Sequence, residues 1–68
     1  MKVYIEELDG EHGVREFSLV RGMDSYTGEV RASGIQVYTR DWVELDPSDP
    51  LAKELTEALN QHIIKENE

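Results

Sequence analysis

Aromatic and basic residues stand close together between positions 26 and 42, and they are the residues best suited to binding. Arg40 lies between Tyr38 and Trp42, and Arg31 follows Tyr26 by five positions. Aromatic rings and guanidinium groups are over-represented among the residues that contribute most to protein–protein binding. We therefore take four residues as candidates for binding a partner: Tyr26, Tyr38, Arg40 and Trp42. The structural alternative is that Trp42 covers the open end of a small core.

The N-terminal carboxylates match a cation site only in part. Four of them fall within positions 6–11: Glu6, Glu7, Asp9 and Glu11. A calcium loop requires oxygen ligands at a fixed spacing and a bidentate carboxylate that closes it. Segment 9–13 supplies only a fragment of that pattern, so we predict neither a metal site nor a cofactor.

The sequence contains no recognisable catalytic constellation. Cysteine is absent, and none of the serines lies in a Gly-x-Ser-x-Gly segment. We expect His12 to be solvated in a turn and His62 to pack at the rim of the core. The glycines at positions 10 and 13 flank acids, which would repel a bound phosphate. We therefore predict no catalytic residues and a protein that is not an enzyme.

The chain is strongly acidic. Its 15 Asp and Glu residues and 7 Lys and Arg residues give a formal charge of −8. This charge should repel nucleic acid and anionic membranes, and no apolar run approaches the roughly 20 residues needed to cross a bilayer. Glu6 and Glu7 interrupt the apolar N-terminal segment that a signal peptide would need. The prediction is a cytoplasmic protein that binds neither nucleic acid nor membrane directly.

The segment 47–65 has the pattern of an amphipathic helix, which would support whatever site the rest of the chain carries. Its apolar positions fall within an arc of about 140° when each residue turns the helix by 100°. They are Leu51, Leu55, Ala58, Leu59, His62 and Ile63. Two registers are open for the start of the helix. In one, Asp46 caps and Pro47 is the first helical residue; in the other, Ser48 or Asp49 caps, and a cap at Asp49 makes Pro50 the first.

Four short strands are predicted before the helix, at 2–8, 14–21, 26–32 and 35–40. Apolar and polar residues alternate within them, and glycine-bearing segments separate them. Gly28 lies inside the third strand, which indicates a bulge or a close backbone approach. Segment 42–45 either extends the fourth strand or lies across the edge of the sheet.

These elements predict a single α+β domain spanning 1–68. An antiparallel sheet of about four strands, in two hairpins, would carry the C-terminal helix on one face. The expected core residues are Val3, Ile5, Phe17, Leu19, Val30, Ile35, Val37, Leu51, Leu55, Leu59 and Ile63. The uncovered face would show Tyr4, Leu8, Val14, Val20, Tyr38 and Trp42. So much apolar surface on so small a domain predicts contact with a partner.

The favoured functional hypothesis is a non-catalytic, small acidic protein-interaction module or accessory subunit. Its binding surface would be the sheet face and edge that carry Tyr38 and Trp42. Its partner would be another protein, or a second copy of the chain in a homodimer. One alternative is an inhibitor, encoded by a phage or another mobile element, whose carboxylates imitate the phosphates of nucleic acid. A small enzyme is the third hypothesis, although a chain this short leaves little room for its pocket.

Overall fold

A computed structural model describes residues 2–10 and 13–66 of the chain. Four antiparallel strands form one sheet in chain order, and a C-terminal helix packs on one of its faces. The elements are β1 (Val3–Leu8), β2 (Arg15–Arg21), β3 (Asp24–Arg31), β4 (Gly34–Thr39) and α1 (Pro50–Glu66). The predicted α+β architecture is confirmed. The two expected hairpins are joined by direct pairing of β2 with β3, because Gly22, at φ 64°, opens a two-residue turn between Arg21 and Asp24.

The predicted strand bounds shift by one or two residues at most ends. Val14 was expected in the second strand, but it precedes β2 and is half-buried. Glu11 and His12, for which the sequence predicts a turn, lie outside the described residues. Within the part of the chain that the structure describes, no helix is long and apolar enough to cross a membrane.

The core lies between the sheet and α1, where the two-residue repeat of the strands meets the 3.6-residue repeat of the helix. Alternate residues of β2 and the apolar arc of α1 supply the four side chains that are fully buried: Phe17, Leu19, Leu55 and Leu59. Val37 joins them, and the remaining predicted core residues pack around this cluster. Ala52 is also almost fully buried, which the sequence analysis missed. His62 lies edge-on to the Phe17 ring at 6.0 Å, so its predicted place at the rim of the core is confirmed.

The helix begins in the second of the two predicted registers. Asp49 caps it, because its Oδ1 accepts the Leu51 N–H at 2.9 Å and its carbonyl accepts the Lys53 N–H at 3.0 Å. Pro50 takes the first helical position, where a residue without an N–H loses nothing. Asp46 instead caps the preceding turn, since its Oδ1 accepts both the N–H and the hydroxyl of Ser48. These two bonds lower the pKa of Asp46.

Ion pairs connect α1 to β1 and β2. Arg21 Nε lies 2.8 Å from a Glu54 carboxylate oxygen. Arg15 binds Glu7 at 2.7 Å and Glu66 at 2.9 Å, and so joins β1, β2 and the end of the helix. The hydrogen bonds from these arginines lower the pKa of Glu7 and Glu54. Each pair is partly exposed, so its contribution to stability is modest.

At Gly28 the Leu59 side chain of α1 comes close to the β3 backbone. Gly28 lies between Phe17 and Val37 across the neighbouring strands. A Cβ added there would lie 2.7 Å from Leu59 Cδ2, which is too short for a van der Waals contact. The register runs unbroken through Gly28, so this glycine marks no bulge, and the close contact there is made by the Leu59 side chain, which rests on the β3 backbone.

We expect Gly28→Ala to lower the free energy of unfolding by about 1–3 kcal/mol, because the added methyl would displace the fully buried Leu59 side chain. Urea denaturation followed by circular dichroism would measure this change. Ser33→Ala, in an exposed turn, is the control and should shift stability by less than about 0.5 kcal/mol. A Gly28→Ala protein as stable as the parent would show that Leu59 does not rest on β3.

Candidate interaction surface

The face of the sheet opposite α1 is uncovered, and we call it the open face. Strand register assigns its residues, because side chains directly opposite one another share a face. They are Tyr4, Glu6, Leu8, Glu16, Ser18, Val20, Ser25, Thr27, Glu29, Arg31, Gln36 and Tyr38. Small hydroxyl residues occupy the centre of this face, and larger apolar and aromatic side chains occupy its margins. Among these, Tyr4, Leu8 and Val20 are exposed, as the sequence predicts.

Tyr38 and Trp42 come together at one margin of the open face. Their ring centroids lie 5.6 Å apart with the planes inclined at 51°. Trp42 keeps 57% of its surface exposed, whereas Tyr38 is half-buried. We call this pair the aromatic site. It has one fixed ring beneath and one available ring above, which is a geometry suited to contact with an apolar group of a partner.

A tight turn presents the Trp42 indole. The Thr39 carbonyl accepts the Trp42 N–H at 2.9 Å, and the Thr39 N–H donates to the Val43 carbonyl at 2.8 Å. This is a three-residue hairpin loop whose last residue adopts the left-handed conformation, and Trp42 does so with φ 62°. Glycine or asparagine usually occupies such a position, because other residues are strained there by about 1–2 kcal/mol.

Hydrogen bonds hold this strained turn in place. Thr39 Oγ1 accepts the N–H of Asp41 at 3.3 Å and that of Val43 at 3.1 Å. Backbone strain of this kind persists where the surrounding structure enforces it, and it is concentrated at functional sites. The turn therefore holds an exposed tryptophan in a conformation that the residue does not favour by itself.

Segment 43–45 returns along the edge of β4. Glu44 bridges to Tyr38, and the Leu45 N–H donates to the Val37 carbonyl at 2.9 Å. Of the two predicted places for segment 42–45, the structure thus selects the sheet edge. The sequence analysis assigned binding to both the face and the edge beside Tyr38. The chain's own residues cover this edge, so only side chains of the face are open to a partner there.

A buried carboxylate lies beneath the aromatic site. Glu29 is only 8% exposed although it belongs to the open face. Its Oε1 accepts a hydrogen bond from Arg31 Nη2 at 3.3 Å, and its carboxylate interacts with the Tyr38 hydroxyl. Burial, together with the nearby carboxylates of Glu29 and Glu44, raises the pKa of Tyr38. Tyr38 is therefore held neutral and anchored through its hydroxyl.

Of the other two candidate residues, Tyr26 lies on the opposite side of the sheet, and Arg40 lies in the turn that carries Trp42. Tyr26 is opposite Leu19 and Thr39, which places it on the helix side of the sheet, where it packs against the core. Arg40 is exposed in the turn that precedes Trp42. Register decides this arrangement: Tyr38 pairs with Thr27, so Tyr26 and Tyr38 point to opposite faces of the sheet.

A cleft of about 600 Å³ opens between β4, α1 and the chain at 45–47, and the sequence analysis did not foresee it. Its floor is apolar and includes Ile35, Val37, Leu45 and Ala52. Lys53 and Glu57 are the charged residues of its rim. Across residues 2–10 and 13–66, no group of three or more His, Asp or Glu side chains is placed to hold a metal ion.

Comparisons with known protein families, curated proteins and solved structures found no match to this chain.

Two substitutions at position 42 would test the strain. Trp42→Gly and Trp42→Ala both remove the contact with Tyr38, but only glycine adopts φ 62° without strain. We expect the glycine variant to be more stable than the alanine variant by about 1 kcal/mol. Urea denaturation followed by circular dichroism would measure both stabilities. Tryptophan fluorescence cannot be used, because both variants lack the sole tryptophan of the chain.

Arg40 supplies the matched control for this pair. It lies in the same turn, but its φ is not positive. Arg40→Gly should therefore be less stable than Arg40→Ala, because glycine loses more backbone entropy on folding. The same order of stability at both positions would contradict the strained turn.

The anchored Tyr38 predicts a loss of stability at high pH. A raised pKa means that the folded protein favours the neutral phenol, so the unfolded chain ionises first, near pH 10. The stabilisation is complete below about pH 10 and is lost as pH rises through the folded pKa. Urea denaturation between about pH 9 and 11 should show a steeper loss of stability in the parent than in Tyr38→Phe. An equal loss of stability with pH in the two proteins would contradict a raised pKa of Tyr38 in the folded state.

Proposed function

We propose that this protein is a non-catalytic interaction module, a small acidic accessory subunit that binds a protein partner through the open face around Tyr38 and Trp42. The observation that carries the proposal is the exposed Trp42 indole, held by a strained turn against an anchored tyrosine. Tryptophan, tyrosine and arginine are the residues most enriched at the energetic centres of protein interfaces. We include in this surface the exposed Arg40, which lies two residues before Trp42 in the same turn.

Pre-organisation supports the proposal. Binding is weakened by the ordering of side chains and loops, so a site that is already ordered binds more tightly for the same contacts. Tyr38 is held from below by Glu29, and Thr39 holds the turn that carries Trp42. The aromatic site would therefore lose little conformational entropy when a partner covers it.

The distribution of charge indicates the chemistry of the partner. Arg15 and Arg21 are bound to carboxylates on the helix side of the sheet. The open face keeps Glu6, Glu16 and Glu29 against Arg31, the only basic residue of its strand positions. Complementary potentials speed association and select partners. The favoured partner thus offers an apolar group for Trp42 and basic residues around it.

The test is the affinity for a partner identified by tagged pull-down from the source organism's lysate and then purified. Trp42→Ala should weaken binding by about 30-fold or more, as expected for loss of an interface residue worth about 2 kcal/mol. Isothermal titration calorimetry would measure the affinity, and circular dichroism would confirm that the variant is folded. Ile64→Ala is the control, because Ile64 is an exposed apolar residue of the helix. Equal affinities for Trp42→Ala and Ile64→Ala would overturn the proposal.

A second candidate function, mimicry of nucleic acid, is favoured by one observation on the same face. Glu6 and Glu16 are diagonal neighbours on β1 and β2, because Glu6 stands opposite Ser18 and Glu16 stands opposite Leu8, and like charges so placed repel each other. A phosphate-imitating surface would retain such a pair for binding. In that case the captured partner would be a nucleic-acid-binding protein that is released as salt rises. Glu6→Lys with Glu16→Lys would then abolish binding, and Trp42→Ala would have little effect.

A further inference from the structure

The two edges of the sheet differ in how the fold protects them. Segment 43–45 covers the edge of β4 beside Tyr38. Strand β1 pairs with β2 on one side, and no described residue pairs with its other side. An edge strand of six residues without proline is open to pairing with another chain. Tyr4, the second residue of β1, is 62% exposed.

We propose that β1 pairs antiparallel with β1 of a second copy, so that the four strands of each copy form one continuous sheet of eight. A two-fold axis through the interface would relate the copies, as in most dimers of identical chains. Both helices would then lie on the same side of the joined sheet, and both open faces on the other. In such a pairing, residues directly opposite one another share a face, which restricts the registers available.

Charge complementarity selects one register, in which the two copies of Tyr4 meet at the axis. Lys2 then faces the partner's Glu6 on the open-face side, and the symmetric contact repeats it. Val3 faces the partner's Ile5 on the helix side, so apolar residues also match. Opposite charges and apolar pairs across strands are both stabilising.

The neighbouring registers are less favourable. With Ile5 at the axis, Val3 would face the partner's Glu7, and Lys2 would face the partner's Leu8. With Glu6 at the axis, the two carboxylates would oppose each other directly, which is destabilising. The register centred on Tyr4 is the one that pairs Lys2 with an acid and avoids opposed carboxylates.

The surroundings of Tyr4 fit this arrangement. Lys2 Nζ lies 5.1 Å from the centre of the Tyr4 ring, so the cation already lies on the open-face side of β1. A shallow depression of about 150 Å³ lies beside Tyr4, and Glu6, Ser18 and Val20 are among the residues that line it. Aromatic side chains reach diagonal neighbours across strands. The depression therefore gives the partner's Tyr4 ring a surface to pack on.

The interface is small, because it pairs five residues of each copy, and each copy carries a formal charge of −8. A stable interface buries roughly 800 Å² on each partner. We therefore expect a weak dimer that forms at high protein concentration. The dimer would carry two aromatic sites at the far margins of one surface, and a partner with two matching sites would bind it with increased avidity. Trp42 takes no part in the strand pairing.

Charge reversal tests the pairing by sedimentation over a concentration series. Lys2→Glu and Glu6→Lys, each alone, place like charges opposite one another and should raise the dimer dissociation constant by about tenfold. The double variant restores opposite charges and should return the constant to within about twofold of the parent. Lys53→Glu and Glu57→Lys, on exposed positions of the helix, make the same changes in net charge and are the matched controls.

Cysteine cross-linking tests the register, because the chain has no cysteine of its own. Under mild oxidation, Tyr4→Cys should form a disulfide-linked dimer at least about tenfold faster than Met23→Cys, since residues opposite each other in a sheet have Cα atoms within disulfide range. Met23 is fully exposed and so reports random collision. Faster cross-linking of Ile5→Cys than of Tyr4→Cys would overturn the proposed register.

Three results would overturn the pairing itself. They are a parent protein that stays monomeric at millimolar concentration, single reversals that act no differently from their helix controls, and a double variant that is not restored. A monomer that still loses its partner on Trp42→Ala would disprove the dimer and leave the proposed function intact. A dimer that binds its partner equally well with and without Trp42→Ala would disprove the proposed function and leave the dimer intact.

Discussion

The packing of Leu55 and Leu59 against Phe17 and Leu19 is the contact on which the rest of the structure depends. The sequence has no cysteine to form a disulfide, and its described residues contain one helix and one small core. The missing side chain of Gly28 leaves room for Leu59 of that helix to pack against the sheet. A single helix covers a single face. The position of every other feature, including the open face and the free edge of β1, follows from which side of the sheet this helix occupies.

The helix also divides the charges of the domain. Glu54 and Glu66 lie on α1 and attract the two arginines of β2, which share the helix side of the sheet with Phe17 and Leu19. The opposite face is left with carboxylates and few bases. Its acidity is therefore more than a reflection of overall composition, because the fold has placed its arginines elsewhere. Under the proposed function, a surface of this kind would favour a basic partner.

Most of the architecture could be predicted from the sequence because it depends on local patterns. The apolar arc of the helix, the alternation in the strands, the Asp49 cap with Pro50 and the close approach at Gly28 are each visible within a few residues. The aromatic site could be predicted only in part. Tyr38 and Trp42 are near each other in sequence, but the separation of Tyr26 from them depends on strand register. The burial of Glu29 and the cleft beside β4 depend on contacts between segments that are distant in the sequence, and no local pattern signals such contacts.

Trp42 is the position where local preference and observed structure disagree most. A tight turn that requires a left-handed residue would be better served by glycine, and the sequence uses glycine for that purpose at Gly22. At position 42 it places the chain's sole tryptophan instead, and leaves more than half of it in contact with solvent. Stability of the isolated domain does not explain this choice, because the ring gains only a partial contact with Tyr38 while the backbone is strained. A partner that covers the indole would explain it, since the energy lost in the free domain would be recovered where the ring is buried.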